Sequence, residues 1–265
     1  MTSSAISAID VHGHFGAYVG DRGDTLLDSF YSGDADVVVR RANAARIETT
    51  FVSPLSALKP RRKADSFTAN MEASQIVAER PALRQYVVID PLRPATYAQA
   101  ADLLARPHCV GIKIHPEEHG YPIAEHGRAI FEFAARHRAL VLTHTSEQLS
   151  EASEFVAWAD EFPEVRVILA HIGCGWDGDV THQVRAVARS RRGNLFADTS
   201  SARSITPGLI EWAVRELGAD RVLFGTDTPL YHAAMQRARI DHADLTDQEK
   251  RLILRDNALR IARLS

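Results

Sequence analysis

Residues 165–173 read VRVILAHIG. Apart from Arg166 the run is apolar as far as Ala170, and it then reaches a histidine and a glycine. A half-exposed strand alternates polar and apolar residues. A run this uniformly apolar suits a strand covered on both faces, as in a parallel sheet flanked by helices. Residues 139–145, ALVLTHT, have the same form and also run into a histidine. Further strand candidates lie at 5–11, 49–53, 85–89, 110–114, 194–198 and 221–225, joining those at 139–143 and 166–170.

Helical patterns fill the intervals. Residues 34–47 form one, and 66–81 form another that ends at Pro81, as helices do near proline. In 123–137, Ile130, Phe133 and Ala134 recur at helical spacing. The stretch 245–264 opens with Thr246 three residues before Glu249, a capping-box pattern. Eight strands alternating with helices in 265 residues predict a (β/α)8 TIM barrel. The competing doubly wound sheet usually has fewer strands and a G-x-G-x-x-G loop after the first. VHGHFGAYVG, residues 11–20, lacks that pattern. There is no sequence repeat and no linker, so residues 1–265 are expected to form one barrel domain. Two long loops, 15–33 and 54–65, follow the first two strands and so belong to the carboxyl face, where barrel chemistry sits.

Net charge is −3, with 45% hydrophobic and 25% charged residues. That is globular composition, and it offers neither the basic surface expected of a nucleic-acid binder nor a polybasic membrane patch. Two cysteines, Cys109 and Cys174, are too few for a disulfide framework and fit a reducing compartment. With no signal-like segment at the start and no apolar run of transmembrane length, a soluble cytoplasmic protein is expected. The partner expected is a small-molecule substrate, not nucleic acid or membrane; a homo-oligomer is left open.

Of the 12 histidines, five fall at the ends of predicted strands: His12, His14, His115, His144 and His171. His12 and His14 are two apart, so on a strand they share a face, at the barrel interior or its mouth. One such histidine is ordinarily a hydrogen-bonded core residue. Four together (His12, His14, His144 and His171) need partners that one divalent metal would supply at once. In VLFGTDTPL, residues 222–230, Asp227 follows an apolar strand and precedes Pro229 by two. It reads either as a turn residue or as a carboxylate that ligates the metal or takes a proton from water. Strand eight neighbours strand one in a barrel, which puts Asp227 within reach of the histidine pair.

The ordered set DVHGH, GIKIHP, VLTHT, VILAHIG and VLFGTDTP, with NLFADTS and DNALRIARL, resembles the amidohydrolase superfamily. It is most similar to the amidohydrolase-related branch of single-metal barrel enzymes, over nearly the whole chain. The resemblance implies that His12, His14 and His144 ligate the metal, with Asp227 completing the set or bridging to it through water. His171 would polarise the attacking water or the substrate carbonyl, and Asp227 would pass a proton to the leaving group. Zinc is the expected metal, with manganese as the alternative. Asp10 either orients His12 by accepting a hydrogen bond or makes a structural bond at the strand end.

Lys113 alone among four lysines lies in an apolar strand. It reads as a substrate or metal-site contact, as the carboxylated bridge of binuclear superfamily members, or as half of a structural ion pair. The KIHP context resembles the mononuclear branch. His115 shares its face and is a candidate substrate contact. Arg203 could meet an anionic substrate group or be a solvated loop residue, and KPRRK, residues 59–63, is open to the same two readings. Trp176 either walls the pocket or packs its own loop, and Cys174 reads as a small packed residue.

The reading is a metal-dependent hydrolase of a small ester, lactone or amide. The alternative is a metal-dependent non-oxidative decarboxylase of an aromatic or enoic acid, a reaction the same branch includes in generally longer chains. A barrel holding metal for stability alone would leave the open metal position without purpose.

Overall fold

The computed structural model describes residues 6–264. Eight strands pair in parallel in chain order: β1 (Ala8–Phe15), β2 (Ile47–Pro54), β3 (Leu83–Val88), β4 (Cys109–Ile114), β5 (Leu140–Thr143), β6 (Arg166–Leu169), β7 (Leu195–Asp198) and β8 (Val222–Leu223). The ring closes between β8 and β1 through Val11 N–H donating to Phe224 O at 2.9 Å and Asp227 N–H donating to His12 O at 2.7 Å. The TIM barrel expected from the alternating pattern is the fold found.

The connecting helices are α1 (Thr25–Phe30), α2 (Ala35–Ala44), α3 (Ser66–Ala78), α4 (Ala95–Leu103), α5 (Pro116–His119), α6 (Ile123–His137), α7 (Glu154–Glu161), α8 (His182–Arg189), α9 (Leu209–Leu217), α10 (Ala233–Asp241), α11 (Asp247–Arg251) and α12 (Asn257–Ala262). The helix predicted at 123–137 is α6, residue for residue. The one predicted across 245–264 is interrupted. Its capping box is present at Thr246 and Glu249, but Leu252–Asp256 widens to a π-helical turn. There the Ile253 carbonyl accepts from Phe224 N–H at 3.0 Å, and the Asn257 amide donates to Ala219 O and Val222 O. Carbonyls and side chains used to fasten the helix to β8 are lost to the regular ladder.

The barrel lumen is packed by Ile9, Val11, Phe51, Tyr86, Leu140, Leu142, Ile168, Phe196 and Leu223, sealed from the amino end by Ala258 and Ile261 of α12. A larger apolar layer lies between strands and helices.

β1 differs from its predicted span of 5–11, of which residue 5 lies outside the described residues. It runs on through both histidines, and it carries a bulge. Asp10 stands opposite Thr50, yet Gly13 stands opposite Val52, so β1 holds one residue more than β2 over this interval. The extra residue reverses the alternation. Ile9 and Val11 face the lumen, and without the bulge His12 and His14 would point into the helix layer.

Candidate metal centre

Asp10 holds the bulge. Its Oδ1 accepts from His12 N–H and Thr226 N–H, each at 3.0 Å, and its Oδ2 accepts from the Thr226 hydroxyl at 2.6 Å. It does not touch the His12 ring, so the structural reading of Asp10 is the one the structure shows. Burial pushes its carboxyl up to about 8, against those three hydrogen bonds.

The residue behind His12 is Asp198 of β7. Its Oδ2 lies 2.9 Å from His12 Nδ1, and its Oδ1 accepts from His171 N–H and Ser200 N–H. On the first strand's other histidine, Nδ1 lies 2.9 Å from Ser53 Oγ and 3.2 Å from Ser53 O. Both imidazoles therefore present Nε2, and both Nε2 atoms converge on Asp227 Oδ1, at 3.5 Å from His12 and 3.2 Å from His14. All three residues are buried, and their ligand atoms lie within 4.8 Å of one another. A carboxylate and a carbonyl behind two buried histidines, with a second carboxylate in front, is the donor set a divalent metal requires.

His144 and His171 extend the cluster. His144 Nδ1 is 3.1 Å from His171 Nε2, and the His171 ring centroid is 4.9 Å from that of His12. His144 follows Leu140 and Leu142 on the same inward face of β5. His171 and Asp227 reach inward by another device, since both adopt left-handed backbone, at φ 75° and 56°. That conformation is uncommon outside glycine and often marks functional sites. At Gly225 a Cβ would lie 3.1 Å from Asp198 Cγ, His12 Cβ and Ser200 Cβ, so any side chain there would push on the residues that build the site.

Lys113 Nζ lies 3.1 Å from His12 Nε2, inside the site. Burial brings its amine down to about 8, although Asp227 and Asp198 pull it up. Burial also drives His12 and His115 well below the usual imidazole range and takes His171 to about 4. For Asp227, burial alone would raise the carboxyl, but His14, His12 and His171 together hold it below the usual carboxylate range. At neutral pH His12, His115 and His171 are thus neutral imidazoles beside an ionised Asp227 carboxylate.

These groups line a cavity of about 240 Å³ at the carboxyl ends of the strands. His12, His14, Lys113, His115, His144, His171 and Asp227 all border it. His115 stacks on His144 with centroids 4.1 Å apart. Arg203 does not line it; the side chain is exposed on the 3-10 turn Ala202–Ile205. The KPRRK segment is less solvated than a loop of that composition suggests: Lys59 is half-buried, borders the cavity and pairs with Glu118 at 2.9 Å. Trp176 is exposed, while Cys174 borders the cavity as a free thiol. Asp198, Ser200, Ser53 and Glu147 were not singled out from sequence. Asp198 had a visible signal, an acid closing the apolar run NLFAD in the way Asp227 closes VLFGTD.

Eight parallel strands with buried histidines and a carboxylate at their carboxyl ends define a metal-dependent barrel enzyme. A family model described as amidohydrolase matches residues 9–264, and the chain belongs to that family. A search of curated proteins found no match. Among solved structures, the chain is similar to 5-carboxyvanillate decarboxylase from Sphingomonas paucimobilis, at 14% identity and TM-score 0.74, covering 98% of this chain and 100% of that one. It is similar to dihydroxybenzoic acid decarboxylase from Polaromonas sp. JS666, solved with manganese and 2-nitroresorcinol, at 18% identity and TM-score 0.74, covering 100% and 98%. It is also similar to a proposed 2-pyrone-4,6-dicarboxylic acid hydrolase from Pseudomonas putida, at 17% identity and TM-score 0.69, covering 98% of each chain. At these identities the likeness is one of fold. Both decarboxylases are matched over 98% or more of their length. Among the described residues no helix is long and apolar enough to cross a membrane.

Proposed function

We propose that the chain is a metal-dependent hydrolase that cleaves a C–O or C–N bond of a small carbonyl compound. The supporting observation is the convergence of His12 Nε2 and His14 Nε2 on an ionised, buried Asp227. His12, His14, His144 and Asp227 would hold the metal, with zinc expected for an N/O donor set and manganese as the alternative. When bound, the metal supplies Lewis acidity that polarises a carbonyl and makes a water acidic. Asp227 takes the proton of the attacking water and delivers it to the leaving group. Neutral His171 would accept a hydrogen bond from the attacking water. Lys113 and His115 face the substrate across the cavity, whose volume suits a small molecule. Arg203 would contribute only to a substrate long enough to leave the cavity.

A second reading, decarboxylation of a small carboxylic acid, is favoured by two observations. Lys59 and Lys113 place cationic groups on the cavity wall, and two of the similar structures described are decarboxylases, one with manganese. A panel of esters, lactones, amides and carboxylic acids, assayed for both acid release and carbon dioxide, separates the two. Acid release without carbon dioxide supports hydrolysis; carbon dioxide from an acid in that panel overturns it.

A further inference from the structure

We infer that Glu147 is a positioning residue that fixes His144 in the tautomer a metal requires. The inference rests on the reading of His144 as a ligand. Glu147 Oε1 lies 2.8 Å from His144 Nε2. An ionised carboxylate only accepts, so Nε2 carries the proton and Nδ1 is left with its lone pair. Nδ1 is the atom that points at His171 Nε2, 3.1 Å away.

The opposite ring is fixed from its far side. The Ser200 hydroxyl makes a short contact with Asp198 Oδ1, to which it donates. Ser200 Oγ is also 2.8 Å from His171 Nδ1, and with its own proton committed it accepts there. His171 then carries its proton on Nδ1, and its Nε2 also presents a lone pair. Two lone pairs facing each other at 3.1 Å repel unless a cation lies between or beside them. Glu147 creates half of that arrangement.

The backbone is built to bring Glu147 there. Ser146 adopts left-handed backbone, φ 68°, which folds the chain so that Glu147 returns over the ring three residues earlier. Buried Gln183 pins the turn, donating to Ser146 Oγ at 2.7 Å and to Cys174 O at 2.9 Å. Ser146 N–H donates to Ser150 O at 2.9 Å. A left-handed serine clamped on both sides is more than a surface acid needs.

Two measurements on the full chain test this: zinc affinity by competition with a chromogenic chelator, and the histidine tautomers of metal-free protein by nitrogen-15 NMR. Glu147→Ala is expected to weaken zinc binding by about 10- to 100-fold, the usual cost of losing a group that orients a ligand. Glu147→Gln, whose amide oxygen still accepts, should stay close to wild type. NMR should show His144 protonated on Nε2. If Glu147→Ala binds zinc like wild type while His144→Ala does not, the inference fails and the ligand assignment stands. If neither change matters, the ligand assignment falls too. A wild-type His144 protonated on Nδ1 overturns the inference however the variants fold.

Discussion

At the amino ends of the strands, arginines cap backbone carbonyls. Arg166 donates to Ile261 O and, at 3.1 Å, to Arg138 O; Arg221 donates to Leu195 O at 2.8 Å and Arg260 to Asp220 O at 2.6 Å. Ile261 and Ala258 plug the lumen beside them. At the carboxyl ends the same structural need, satisfying polar groups where strands stop, is met by histidines and aspartates. All nine exposed large apolar side chains among the described residues also lie toward this end, in loops after strands or in the opening turns of the helices that follow. A guanidinium keeps its charge at any ordinary pH and donates only, so it caps and seals. Imidazoles and carboxylates exchange protons and hold metals. The difference shows which end of the barrel serves stability and which serves chemistry.

The comparison breaks most visibly if a change at one end produces the effect assigned to the other. Asp227→Asn should lower kcat by about 10² to 10⁴, the range for losing a proton-transfer group, with thermal unfolding essentially unchanged. Retained turnover would refute its role. Ile261→Ala should do the reverse, costing about 2–5 kcal/mol of stability by opening a cavity in the floor, with kcat little changed. Chemical denaturation and steady-state kinetics on both variants check the pair.

The effect of pH sharpens the contrast. His12 and His171 are held neutral by burial, His171 down to about 4 against an ordinary value of 6.5. Between those values the unfolded chain binds protons that the folded chain refuses. Metal-free protein should therefore lose stability as pH falls from about 6.5 towards 4, by on the order of 1–3 kcal/mol for His171. His171→Asn should flatten that part of the profile in denaturation curves, and an unaltered slope would show that the loss arises elsewhere. The smallest effect is expected at Arg203, exposed and outside the cavity: Arg203→Ala should shift stability by no more than about 0.5 kcal/mol and leave KM for a small substrate unchanged.

The sequence carried much of this layout. Uniformly apolar strands and their order identified the barrel, and histidines at strand ends identified the face. What was not legible depended on one-residue geometry. The β1 bulge, invisible in DVHGH, decides that His12 and His14 point inward, and it reassigns Asp10 from the ring of His12 to its backbone. The left-handed turns at Ser146, His171 and Asp227 involve no glycine, so nothing in the local composition announces them. Asp198 sits 186 residues from the imidazole it holds, a distance only the closed barrel removes.

The central claim is that His12, His14, His144 and Asp227 form one metal site. X-ray absorption on the chain loaded with one equivalent of zinc tests it most directly. The account predicts a shell of nitrogen and oxygen alone at about 2.0–2.2 Å, with the outer scattering of several imidazoles. A sulfur scatterer at about 2.3 Å, which would place the ion on Cys174, or folded protein that retains no zinc, would contradict it.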